Sequence, residues 1–384
     1  MVYVDDIGTF GSRRTIHAAG ENLKDMEKQK GFTFGIGNGK TQYMIIKGKR
    51  RTKKEEEQEI EIELKKGRVQ ETNKYRYLGN WIGVSGTAEC QIEEIEKRVP
   101  AMITQMIKLA SEEKLGRFST AARLMLYEKT IVPAMTYGLD CWRLEKKDKE
   151  KLERIQGMAL RRILALPSTT PYWAMLKETG IWTMEGVVAY QRLMLLENML
   201  KSNKNRLGRR VIESQKEENW GWYQETERIA RSMGIEGLLE KLKTLKKSAW
   251  KKEIKEKIRQ KMEREAEEIG KEMKKMRHQR GQRYERKKYL NEMGSRESSE
   301  TIRRRLEMLD IGNNFGKKRV CRCGEKEGTE HLIDCLKEER KKEVKVQWLE
   351  ETEEIWKIRK VNEWLGSYLE ERERRKCREE EEEK

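Results

Sequence analysis

The chain has 384 residues, 40% of them charged and 36% apolar, with a net charge of +18. That length allows two or three domains, and the low apolar share argues for small helical cores under much solvated helix surface rather than one large core. There is no run of about 18 apolar residues to span a membrane, no basic region and apolar core of a secretory signal at the N-terminus, and six Cys are too few to scaffold a chain this long.

In chain order, Tyr3-Val4-Asp5-Asp6 lies among apolar residues (Met1, Val2, Ile7) and reads as a tight β-hairpin with two carboxylates at its tip. Adjacent acids in a turn are also an ordinary solvated feature. A helix is expected over Thr15–Lys30, with a thin apolar face of Ile16, Ala19, Leu23 and Met26. The Gly-rich turn ending in Lys40-Thr41 leads into a strand at Tyr43–Ile46, and Lys47–Glu57 is a charged loop. Ile60, Ile62 and Leu64 alternate with Glu59, Glu61 and Glu63, the period of a half-buried strand. Lys66-Gly67 turns that strand into Val69, and a strand at Tyr75–Ile82 completes a small sheet.

From about residue 86 the period becomes helical: Ile92, Ile95, Val99, Met102, Ile103, Met106 and Leu109 share a face, with Pro100 expected to kink or interrupt the run. A second helix is expected over Phe118–Tyr137, perturbed near Pro133, and a third along Leu152, Ile155, Ala159, Ile163 and Leu166. Three helices with short connections make a bundle. Thr170 is a candidate cap with Pro171 in the first turn, and Gly180 a candidate stop. Several amphipathic helices follow over 182–245, then a long charged helix over Ser248–His278 with a narrow stripe of Ile254, Ile258, Met262, Ala266, Ile269 and Met273. Coiled-coil pairing is one reading of that stripe. A short helix over Thr301–Leu309 precedes a Cys/His cluster, and a charged helical tail closes the chain.

The charge is unevenly placed. Residues 241–290 hold 20 Lys/Arg against 8 Asp/Glu, a net +12 within 50 residues. A basic concentration of this kind points to nucleic acid, or to a solvated helix face, with Lys251, Lys252, Lys255 and Lys257 as candidate phosphate contacts. Cys321, Cys323, His331 and Cys335 offer three thiolates and an imidazole, an ordinary structural Zn²⁺ set. A single residue separates the first two Cys, where two to four are typical, and reduced thiols beside a surface His are the alternative. Gly324 and Gly328 permit tight turns, and Glu330 can orient the imidazole. Cys90, Cys141 and Cys377 are isolated and read as reduced thiols of an intracellular protein, nuclear or cytoplasmic. No Ser/His/Asp arrangement, P-loop or dinucleotide fingerprint occurs.

The order and spacing of Tyr3-Val4-Asp5-Asp6, the Lys40-Thr41 turn, Tyr75-Arg76-Tyr77-Leu78-Gly79, the run Leu126–Gly138 with Trp142, and the terminal Cys/His cluster resemble the second half of a non-long-terminal-repeat (LINE-type) retrotransposon reverse transcriptase, over residues 1 to about 340. The resemblance implies an α+β partial palm over 1–84, a helical thumb-like bundle over 85–167, a basic helical connector over 168–310, a zinc-knuckle module over 311–340 and a charged helical tail over 341–384. It implies Mg²⁺ on Asp5 and Asp6, with Tyr3 beside the primer end and Lys40 at the leaving pyrophosphate. Tyr77 and Gly79 would support the primer backbone, and RNA template, DNA primer or target, and dNTP would be the partners. The family's earlier metal-binding Asp and its fingers precede this motif and have no counterpart here. The expectation is therefore a truncated RNA-directed DNA polymerase that keeps nucleic-acid binding; the alternative is a non-catalytic helical nucleic-acid-binding protein with a zinc knuckle.

Overall fold

The computed structural model describes residues 2–3, 6–37, 40–46, 60–111, 118–235, 244–273, 276, 279–306, 308–309, 320–321, 323–328, 331–332, 335 and 355–382. These are mostly helical, with few and short strands. They fall into two compact units: 1–95 with 142–148, and 96–141 with 149–384.

In the first unit, β1 (Val2–Tyr3) and β2 (Asp6–Ile7) form an antiparallel pair that sets Tyr3 opposite Asp6. Helix α1 (Arg13–Lys30) starts where the Ser12 hydroxyl accepts the Thr15 N–H, and stops at Gly31, whose φ of 72° is the left-handed conformation a helix end favours. β3 (Gln42–Tyr43) pairs in parallel with β6 (Gln70–Glu71), and β4 (Glu63–Leu64) forms a hairpin with β5 (Gly67–Arg68). The alternation of acids and apolar residues is borne out: Ile60, Ile62, Leu64 and Val69 are buried and receive Ile16 and Leu23 from α1. Glu27, buried on α1, accepts the Lys65 and Phe34 N–H groups, which hold its carboxyl below the usual range.

Two expectations change. The described strands pair two by two rather than joining in one sheet; each is only two to four residues long. The single strand over Tyr75–Ile82 is instead a hairpin of β7 (Lys74–Tyr77) and β8 (Asn80–Gly83). Its turn residues Leu78 and Gly79 both have positive φ, 48° and 82°. That geometry matches the twist of a two-residue hairpin, but it is normally announced by Asn-Gly or Asp-Gly, not Leu-Gly.

Helix α2 (Glu89–Leu109) runs through Pro100 without the interruption that was one of the two outcomes expected there. The missing N–H removes one hydrogen bond, while Ile92, Ile95, Val99, Ile103 and Met106 are buried along the same helix. In the second unit, α2 is tied onward by Arg98 to the Ala134 carbonyl, Glu96 to Lys151 and Thr104 to Arg162. Pro133 acts where the sequence placed it. α3 (Thr120–Leu126) widens into a π turn over Tyr127–Ile131, in which the Val132 N–H reaches the Tyr127 carbonyl, before α4 (Val132–Thr136) resumes. α5 (Lys146–Ile163) buries Leu152, Ile155, Ala159 and Ile163. Thr170 does not cap α6 (Tyr172–Thr179): its hydroxyl donates to the Pro167 carbonyl, and Pro171 occupies the cap position. Gly180 ends α6 with φ 64°, and a Cβ there would strike the Arg286 backbone.

α7 (Met184–Lys201), α8 (Leu207–Glu217) and α9 (Gly221–Ser232) follow. Arg192 joins α7 to α9: it is 1% exposed, donates to Thr226 Oγ1 and to the Asp140 and Trp222 carbonyls, and lies 4.7 Å from the Trp222 ring centre. Burial lowers its pKa to about 10. Long helix α10 (Lys247–Glu272) buries Trp250, Ile254, Ile258, Met262, Ala266 and Gly270, one residue in four. A spacing of four advances about 40° per step on a helix of 3.6 residues per turn. The buried line therefore winds around the helix and meets first α7 and then α6. Coiled-coil pairing needs a stripe of period 3.5, so the stripe is core of this chain. Met273, expected in the stripe, is 38% exposed.

α11 (Tyr289–Glu292), α12 (Ser295–Arg305) and α13 (Ile355–Glu382) complete the unit, with α13 held on α12 by Asn362 to Thr301 and Arg359 to Glu297. At its centre the Glu178 carboxylate of α6 is fully buried. It accepts from Arg305 (2.9 Å), Gln279 (2.8 Å) and Tyr289 (2.5 Å). Burial opposes its charge, but Arg305 and these hydrogen bonds outweigh it and hold the carboxyl below 4.5. A carboxyl lowered in this way stabilises the fold above its unfolded pKa, and that contribution is lost as pH falls through the folded value. Glu178→Ala should cost about 3–5 kcal/mol, because the largely buried Arg305 loses its carboxylate. Urea unfolding of the second unit should show this, with wild-type stability declining below pH 4.5 and Glu178→Gln showing a flatter acid limb.

Candidate metal centre and nucleic-acid interface

Cys321 and Cys323 sit in a tight loop closed by an antiparallel bridge between Val320 and Lys326. The Cys321 N–H donates to the Glu325 carbonyl at 2.8 Å, and the Gly324 N–H to the Cys321 carbonyl at 2.9 Å. Gly324 turns with φ 92°. This turn lets a one-residue spacing bring both sulfurs to one side. Cys335 follows His331 by one helical turn, its N–H bonded to the His331 carbonyl at 2.8 Å, so imidazole and thiol share a face.

The four ligand atoms lie within 4.8 Å of one another. Cys321 Sγ and Cys335 Sγ are 3.9 Å apart, and Cys323 Sγ is 3.2 Å from His331 Nε2. Sulfurs bound tetrahedrally at 2.3 Å stand about 3.8 Å apart, whereas a disulfide would need about 2.05 Å. The cluster can therefore hold a metal ion. Burial opposes ionisation of Cys321, but hydrogen bonds from the Cys323 N–H, Tyr368, His331 and Cys335 bring its thiol down to about 6. Burial, then the neighbouring Cys323 and Cys321, push Cys335 up to about 11. The Cys321 thiol is thus the readier ligand, and a bound ion would supply the charge that ionises Cys335. Glu330 lies outside the described residues.

The cluster is roofed by α13. Val361, Leu365 and Tyr368 are buried with Leu309, Cys321 and Leu332, and Trp364, Leu369 and Cys335 pack against them. Glu327, between the second and third ligands, is fully buried. It accepts from the Tyr368 hydroxyl at 3.0 Å and from Arg372 at 3.3 Å. These partners stand 41 and 45 residues away in sequence, and no spacing signal marks them.

Of the residues that the resemblance singled out near the N-terminus, the structure describes only some. Asp5 lies outside the described residues, and Tyr3 and Asp6 are described by their backbone alone. Lys40 is exposed at a turn in which its N–H donates to the Gly37 carbonyl. Tyr77 packs edge-on against Phe10 with ring centres 6.5 Å apart, and its hydroxyl lies so close to Gly8 that a Cβ there would sit 3.3 Å away. The Tyr-Leu-Gly hairpin therefore stands beside the loop that leaves the Tyr-Val-Asp-Asp hairpin. Gly79 is at the tip of its own turn.

The basic segment sorts into two kinds of charge. Lys251, Lys252 and Lys255 are exposed on α10 and Lys257 is half-buried; among the described residues none of the four is in an ion pair. Further along, charge is used internally: Arg259 pairs with Glu256 and Glu263, Lys261 with Glu185 and Glu265, Glu267 with Lys177, and Arg286 with Glu128. Among the described residues, the exposed cations of the segment that lie in no ion pair thus include Lys251, Lys252 and Lys255 in the first three turns of α10, with Arg264, Lys271 and Arg283 further along. Among the described residues no helix is long and apolar enough to cross a membrane. Compared with protein-family models, with curated proteins and with solved structures, the chain matches none of them.

Because α13 closes over the cluster, metal removal should loosen both together. Chelation should lower hydrogen-exchange protection along Ile358–Leu369 and around Cys321–Cys335 while α5 and α7 keep theirs. Unchanged protection in α13 would show that its apolar packing suffices without the ion.

Proposed function

We propose that the chain is a nucleic-acid-binding protein of LINE-type reverse-transcriptase descent, stabilised by Zn²⁺ in the Cys321–Cys323–His331–Cys335 cluster. The motif order along the sequence supports the descent. In that lineage Asp5 and Asp6 would take Mg²⁺ and Lys40 the leaving pyrophosphate. Three thiolates and one imidazole favour Zn²⁺ over harder cations, and four protein ligands leave no open position, so the metal's role is structural.

The observation that carries the binding role is the two-sided build of α10. One line of it is core, while Lys251, Lys252 and Lys255 face solvent and, among the described residues, lie in no ion pair. Lysines held this way exchange condensed counterions for phosphates of an RNA template or a DNA primer or target. Binding should therefore weaken steeply with salt. Charge reversal at Lys251, Lys252, Lys255 and Lys257 should reduce affinity at least tenfold, by similar factors for unrelated sequences, and flatten the salt slope by about one for each phosphate no longer neutralised. Fluorescence anisotropy across a salt series reads both effects; salt-insensitive binding, or binding untouched by the four substitutions, would place the site elsewhere.

A further inference from the structure

Beside the lysines, α10 and the start of α7 enclose a cleft lined by Trp182, Lys252, Glu253, Lys255, Glu256 and Arg259. Its volume, about 370 Å³, is at the lower end of small-ligand sites and suits a single nucleotide-sized group. Trp182 stands just before the α7 cap residue Thr183 and is braced by Tyr190, edge-on, with ring centres 5.9 Å apart. The Lys255 ammonium lies 5.8 Å from the centre of the Tyr190 ring, which holds it by cation–π attraction beside the cleft. Aromatic surface and phosphate-seeking charge therefore sit together, although nothing in the spacing of residues 182, 190 and 255 announces it.

We propose that this cleft seats one unpaired base of a single-stranded nucleic acid, with Trp182 as the stacking platform and Lys252 and Lys255 holding the flanking phosphates. This rests on the nucleic-acid reading above and narrows it to strand type. The lining decides the orientation. Glu253 and Glu256 would repel a phosphate lodged inside, whereas a base has no net charge and offers N–H donors, the ring N–H of thymine among them, from which a carboxylate can accept. Arg259 is not free for phosphate, since both its ends are taken by Glu256 and Glu263. A paired base cannot present its face to an indole, so a duplex reaches only the lysines. Stacking adds affinity per base without reading sequence, because every base has a π face.

The test is binding of the full-length, zinc-loaded chain to three labelled ligands of equal length: oligo(dT), an abasic strand and a duplex. The wild-type chain should hold oligo(dT) about tenfold more tightly than the abasic strand, the scale of one stacked base. Trp182→Ala should remove that difference while leaving abasic-strand and duplex affinities within about twofold. Trp182→Phe, which keeps a ring, should retain most of it. Equal wild-type binding of oligo(dT) and the abasic strand overturns the proposal without any variant having to fold. So does a Trp182→Ala loss shared equally by all three ligands. Salt-dependent binding of all three alike would leave the nucleic-acid reading standing and remove only the base seat; no binding to any of them removes both.

Discussion

A carboxylate cut off from water must be paired, and the Glu178 side chain is placed so that three separate stretches of chain have to supply its partners. Gln279 comes from the segment after α10, Tyr289 from α11 and Arg305 from α12. Each of these segments also buries apolar side chains, among them Met276, Leu290 and Ile302, and the carboxylate gives all three a common polar partner. Arg305 also donates to Gln282, and Arg286 spans from the Thr179 carbonyl to Glu128. The π turn before Pro133 presents Glu128 to that arginine. Replacing such a network with apolar residues could be as stable, but removing one member strands a charge, which is why a buried pair specifies geometry more than it adds stability.

The Cys/His cluster extends the same order toward the C-terminus. α12 carries Thr301, which receives Asn362 of α13, and α13 covers the cluster with Val361, Leu365 and Tyr368. The module between Val320 and Cys335 contributes few apolar side chains, so it depends on a helix that begins 20 residues after its last ligand. Glu327 completes the join: buried with Tyr368 and Arg372, it fixes the loop between the cysteine pair and His331. Metal ligands, loop and roof thus pack as one cluster, and a bound ion would act on α13 as well as on the loop.

α10 links this architecture to the proposed function. A line of one buried residue in four lets a single helix touch α7 and then α6. Because that line winds, the helix turns different sides outward along its length. Near its start lysines are left facing water; near its end the charges meet Glu185 and Lys177. The same geometry sets Lys255 over Tyr190 and brings Trp182 into the cleft.

Some of this was legible in the chain itself. Local chemistry carried it: alternation of Glu with Ile and Leu marked the buried face over residues 60–64, apolar repeats marked α2, α5 and α10, Gly180 marked a stop, and Cys321, Cys323, His331 and Cys335 marked a ligand set by type. Each signal depends on neighbours within a turn or two, where periodicity and backbone preference operate. What depended on distant partners could not be read. The Leu78-Gly79 turn took a left-handed conformation its sequence does not favour, and Pro100 stayed inside a helix because the burial of its neighbours outweighs the missing hydrogen bond. Which lysines face water and which arginines meet carboxylates was decided by helix packing, since composition counts both alike. A linear chain determines what each segment can bury or bind; only the packed chain decides which charges are cancelled, and therefore which remain free to meet another molecule.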